Sequence, residues 1–200
     1  MKNKILSVRD QIADVLRSDI ISGELKPNTK LNEHQLSERF GTSRGPIRDV
    51  LLKLTKEGLL VSKNNVGSSV SAPLSSDMQK LSVRIRRTIE EFAINQVVGT
   101  LSEDDFSALD KYIDSMQELF EKEAFTELTK TDVEFHQYFV AKAGGDDLVN
   151  LWYPIVMRMR MNYQRISTSQ ALVDEHKNIV EALRQEDAKA AISAIRHNIK

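Results

Sequence analysis

Apolar positions along the chain change rhythm near residue 73, and that change divides the molecule into two parts. Val8, Ile12, Val15, Leu16 and Ile20 recur at helical spacing, and Gly23 follows as a stop. Asn32 with Gln35 three residues later predicts a capped second helix that Gly41 ends. Ser43 caps a third helix, because Pro46 falls in the first turn, where a missing N–H costs nothing. Ile47, Val50, Leu51 and Leu54 form its buried stripe, and Gly58 closes it. Leu59–Lys63 and Ser68–Ala72 then read as strands of a hairpin around Asn64-Asn65-Val66-Gly67.

Ala72-Pro73-Leu74-Ser75-Ser76-Asp77 marks the boundary. Beyond it every pattern is helical, in six segments near 77–99, 102–123, 125–143, 146–166, 170–185 and 187–200. Ser102 with Asp105 opens the second segment, Gly144-Gly145 closes the third, and Pro154 starts or kinks part of the fourth. The expected fold is mainly α. It comprises a winged helix-turn-helix head of three helices and a β-hairpin (residues 1–73), a linker (74–77) and an antiparallel all-α bundle (78–200).

Composition narrows the chemistry. The chain has no cysteine, which removes disulfides, thiolate metal sites and cysteine nucleophiles. No apolar run approaches the ~20 residues that span a bilayer, so no membrane partner is expected. The N-terminal stretch lacks an apolar signal core, which makes the cytoplasm the expected compartment. The net charge of −1 hides an asymmetry: residues 1–73 carry 12 Lys and Arg against 8 Asp and Glu, whereas residues 74–200 carry 16 against 21. A basic head on an acidic body suggests that the head alone meets a polyanion, although chance segregation of surface charge produces the same asymmetry.

In a helix-turn-helix the third helix enters the major groove by its N-terminal end. Ser43, Arg44, Gly45 and Arg48 lie there, with the two arginines four apart on one face. A guanidinium suits bidentate contact with guanine or phosphate. Two ordinary solvated arginines would fit the same spacing.

Three of the four histidines lie in the helical part: His136, His176 and His197. Asp132 falls on the Leu128/Phe135/Phe139 stripe with His136 one turn on, and a buried carboxylate needs a partner. His176 sits among Leu172, Ile179, Val180 and Leu183, and His197 follows Ala190 and Ala194 at helical spacing. One acid and three imidazoles facing inward form a first shell for zinc, nickel or a similar divalent ion. The alternative is an Asp132–His136 hydrogen bond with two unrelated core histidines.

Residues 16–71 resemble the DNA-binding domain of GntR-family regulators. The resemblance is carried by Ile21-Ser22-Gly23-Glu24-Leu25-Lys26-Pro27, Ser43-Arg44-x-Pro46-x-Arg48 and Glu57-Gly58-Leu59. It implies DNA contact through Ser43, Arg44, Gly45 and Arg48, with Gly67 of the wing at the minor groove. His34 stands where the family commonly has arginine. Asp132-x-x-x-His136, Glu175-His176 with Ile179-Val180-Glu181-Ala182, and Ala194-Ile195-Arg196-His197-Asn198-Ile199 resemble the ligand motifs of the FCD effector domain of the FadR-type branch. Arg86-Arg87-Thr88-Ile89-Glu90 resembles that domain's opening helix, and six helices point to the VanR-like subgroup. With a metal so held, Arg86, beside Ile89 and Ala93, is the expected group for a carboxylate effector. Its alternative is a surface arginine snorkelling over apolar surface.

The expected function is a homodimeric transcriptional regulator, read as a repressor. It binds double-stranded operator DNA under control of a small carboxylate bound near the metal. The alternatives are a metalloenzyme of small carboxylates with an appended DNA-binding head, and a sequence-neutral architectural DNA binder.

Overall fold

The computed structural model describes residues 7–63, 67–161 and 170–200. The expected hairpin turn at residues 64–66 and the end of the fourth helical segment, 162–166, lie outside the described residues.

Helix α1 (Val8–Ser22) starts at Ser7, whose hydroxyl accepts the Asp10 N–H, and stops at Gly23, whose φ of 83° a glycine adopts without strain. It buries Ile12, Ala13, Leu16 and Ile20, whereas Val8 and Val15, expected on the same stripe, remain exposed. Helix α2 (Glu33–Arg39) is capped by Asn32, which accepts from the N–H groups of His34 and Gln35. Helix α3 (Arg44–Lys56) buries Ile47, Val50, Leu51 and Leu54 against α1, and its N-cap Ser43 makes no side-chain capping bond.

The wing is a three-stranded antiparallel sheet in the order β1-β3-β2. Strands β2 (Leu60–Lys63) and β3 (Gly67–Val70) pair as expected, with Leu60 opposite Val70 and Lys63 opposite Gly67. Strand β1 (Lys30–Leu31) was not apparent from the pattern; two residues are too few to show alternation.

The remaining helices are α4 (Ser76–Val97), α5 (Glu103–Glu121), α6 (Phe125–Arg160), α7 (Ala171–Arg184) and α8 (Ala188–Asn198). Ser102 and Asp105 form the reciprocal capping box that the sequence predicts for α5. The expected third and fourth segments are two helical rods, numbered together as α6 and separated at Gly145, where φ is 58° and ψ is −154°, so the glycine pair ends the third segment as expected. Pro154 lies within this helix at helical dihedrals and does not start it. Split at Gly145, the described residues from Ser76 onward form six rods. α6 packs between α4 and α5, and α7 pairs with α8.

The head rests on α6. Lys130 reaches Asp14 of α1 at 2.7 Å, and the Arg158 side chain lies against Gly58, just past α3.

Candidate metal centre and nucleic-acid interface

Leu128, Asp132, Phe135, His136 and Phe139 are all buried on the inner face of α6. His176 faces them from α7 and is fully buried, as is His136. One ligand atom each from Asp132, His136 and His176 lies within 4.8 Å of the other two.

The second nitrogen of each ring decides the chemistry of this cluster. His136 Nδ1 is 2.7 Å from Glu90 Oε2. Burial alone would raise the Glu90 pKa, but the adjacent Arg86 and His136 outweigh it and hold the group at about 2. The carboxylate can therefore only accept, so His136 Nδ1 carries the proton. His176 Nδ1 is 2.7 Å from the Leu172 carbonyl and donates likewise. Burial pushes both imidazoles down to about 4, against the pull of Glu90 on His136 and of the Leu172 carbonyl on His176. Both rings are neutral near pH 7, and each Nε2 presents a lone pair.

Among the described residues neither Nε2 has a hydrogen-bond partner, and His176 Nε2 lies 3.3 Å from Asp132 Oδ1. Two lone pairs and a carboxylate oxygen thus converge in the buried interior with no proton between them. Buried acceptors gathered without a donor are costly, and a divalent cation satisfies all three. The donor set of two neutral imidazoles and one carboxylate suits zinc or nickel.

The structure supplies an outer shell that the sequence reading missed. Glu90 Oε1 accepts from Arg86 Nε and Trp152 Nε1, both at 2.7 Å, and so orients His136. Arg160 pairs with Asp132 Oδ2. A signal for Glu90 existed, since it stands one turn from Arg86; Trp152 and Arg160 had none.

Arg86 is 2% exposed, so the snorkelling alternative is set aside. Its Nη2 is buried without a partner among the described residues, leaving one donor nitrogen for an anion.

His197 is not brought to the cluster. Its side chain is 72% exposed, with Nε2 3.5 Å from Glu175. Helix α8 turns Ala191 and Ile195 inward, followed by Ile199, and a residue two positions beyond Ile195 points about 200° away. The fourth ligand expected from sequence is therefore absent from this shell, which has three protein donors among the described residues.

On the head, Ser43, Arg44, Gly45 and Arg48 are all exposed at the start of α3. The Ser43 hydroxyl is not used in capping, and a side chain at Gly45 would meet nothing within 4 Å, so the backbone there is open to a close partner. Arg48 Nε contacts Glu33 at 2.7 Å, an exposed pair that a phosphate can displace. His34 is exposed beside Glu38, and Gly67 has a φ of 88°, which only glycine adopts freely.

An exposed recognition helix, a wing and a helical bundle with a buried polar cluster define a DNA-binding transcriptional regulator. Residues 8–70 match the bacterial regulatory proteins of the gntR family, and residues 82–200 match the FCD domain. The chain belongs to the GntR family and carries an FCD domain.

It is 26% identical to the transcriptional repressor RspR of Escherichia coli, over 99% of this chain and 88% of that protein. It is 22% identical to the gluconate operon repressor of Bacillus subtilis, over 94% and 80%. The solved structure of Escherichia coli McbR/YncC superposes with a TM-score of 0.82 at 19% identity, covering 98% of this chain and 94% of that one. A GntR regulator from Rhodococcus superposes at 0.77 and 20% identity, over 97% and 94%. RspR and the gluconate operon repressor are transcriptional regulators, and the chain is a regulator rather than an enzyme. Among the described residues, no helix is long and apolar enough to cross a membrane.

Proposed function

We propose that this regulator is a homodimeric repressor whose operator affinity is set by a small carboxylate bound beside a divalent metal. Residues 1–73 serve as the DNA-binding head, 74–77 as the linker and 78–200 as the sensor. The observation that carries the reading is the convergence of Asp132 Oδ1 with two unpartnered imidazole nitrogens. Three protein donors leave coordination positions open, and the free Nη2 of Arg86 supplies a donor for an anion. Gluconate, for which some relatives' operons are named, is itself a small carboxylate. The six rods of the sensor support the VanR-like subgroup. Ser43, Arg44, Gly45 and Arg48 meet operator DNA in the major groove, His34 meets the backbone, and Gly67 brings the wing to the minor groove.

Helix α4 supports the dimer. Met78, Leu81, Ile85 and Phe92 are 48%, 37%, 38% and 50% exposed, and at 100° per residue they fall within an arc of about 60°. An exposed apolar stripe of this kind is covered by a partner. Antiparallel pairing about Ile85 would set Phe92 of each copy against Met78 of the other, a two-fold arrangement that spaces two recognition helices on one duplex.

Elemental analysis of protein purified without chelator tests the metal. About one equivalent per chain is expected, with a lower melting temperature after EDTA. Metal-free wild type whose stability matches that of His176→Ala with or without added zinc would remove the site.

A further inference from the structure

Helix α6 consists of two rods joined at Gly145, and they carry different parts of the cluster. The first rod bears Asp132 and His136. The second sends Trp152 to Glu90 and Arg160 to Asp132, and both of these side chains are buried. Its opposite face meets the head. Pro154 lines a cleft of about 570 Å³ with Lys53, Lys56 and Glu57 of the recognition-helix end. Arg158 lies so close to Gly58 that an added Cβ would come within 2.8 Å of its Cγ, and its Nη1 is 3.4 Å from the Gly58 carbonyl. Glu57, next to Gly58, is fixed by Arg17 through two bonds of 2.9 and 3.0 Å. A shift at Gly58 is therefore passed to the end of α3 and to α1.

We infer that the second rod is the lever through which the cluster addresses the recognition helix, with Arg160 as its inner contact and Arg158 as its outer one. The inference rests on the proposed metal site. Arg160 is the cation that balances Asp132 in the present arrangement. With a divalent ion also on Asp132, the guanidinium shares one carboxylate with a like charge and its hold weakens. Gly145 is the break about which the rod turns, because helical geometry is already lost there. Arg158, two residues from Arg160, then moves against Gly58. Trp152 adds a second tie, since Glu90 holds both its N–H and His136. A packed rod moves as a unit, so a small change at one end reaches the other. The coupling is reciprocal: operator binding changes the ion's affinity by the same factor.

The test uses the full chain, stripped with EDTA and titrated with Zn(II). Zn(II) affinity is read by competition with a chromophoric chelator. Affinity for a duplex obtained by in vitro selection is read by fluorescence anisotropy. Saturating Zn(II) should change wild-type duplex affinity by about tenfold. Arg158→Ala should keep its Zn(II) affinity and lose that change. An Arg158→Ala protein that responds to Zn(II) as wild type does overturns the lever and leaves the metal site standing.

Amide exchange judges the lever without metal. Arg160→Met, which cuts the rod from Asp132, should quicken exchange at residues 55–59, as should Arg158→Ala. Unchanged exchange in both overturns the inference, even if wild type takes up no Zn(II) and the proposed metal site has failed. Should Arg160→Met not fold, Arg160→Lys, which retains a cation but loses the planar fork, replaces it.

Discussion

Acid should unfold this protein in a window set by two histidines. His136 and His176 are fully buried and held neutral, with pKa values pushed from 6.5 down to about 4. In the unfolded chain both regain the ordinary value, so between about pH 6.5 and 4 the unfolded state binds more protons. Stability is therefore fully present above the unfolded pKa and is lost as pH falls toward the folded one. From pH 7 to 5 the loss is about 2 kcal/mol for each histidine, or about 4 kcal/mol for the pair. Against a typical domain stability of about 5–15 kcal/mol, that is a large fraction. Glu90, held at about 2 instead of 4.5, adds a further loss only below pH 4.5. Urea unfolding followed by emission of the buried Trp152 measures the effect. EDTA must be present throughout, because protonation would also release a bound ion. His176→Leu should remove about half of the pH dependence. A urea midpoint that stays constant between pH 7 and 5 would refute the neutral, buried state of the two rings.

Arg44→Ala should cost ~1–3 kcal/mol of specific duplex affinity and relax base discrimination, read by anisotropy at fixed salt. His34→Arg should tighten duplex binding at pH 8, because it adds a permanent cation at the expected backbone contact. Phe92→Glu should yield monomers in equilibrium sedimentation, since each copy would bury a charge in the α4 face. Gly58→Ala should lose ~1–3 kcal/mol of stability, from a φ of 78° and from the clash with Arg158. In thermal melts Gly58→Ala/Arg158→Ala should recover only the clash.

Features that depend on neighbours a few residues apart were legible in the amino-acid order. Asn32 and the Ser102–Asp105 pair announced helix starts, Gly23 and Gly58 announced stops, and the α3 stripe emerged as spaced. The motif at Ser43 to Arg48 and the Asp132–His136 step could be read for the same reason, each lying within about one helical turn. Tertiary structure decided everything that requires two distant segments to meet. Arg160 stands 28 residues from Asp132, and Trp152 stands 62 from Glu90, so no local spacing links them. His197 shows the limit from the other side. Its motif placed it in the cluster, but a step of one residue turns a helical side chain by 100°, and only packing against α4 and α7 fixed which face of α8 points inward. Gly145 shows it again: the glycine pair ends the first rod as its spacing signals, and the direction of the second depends on what that rod packs against.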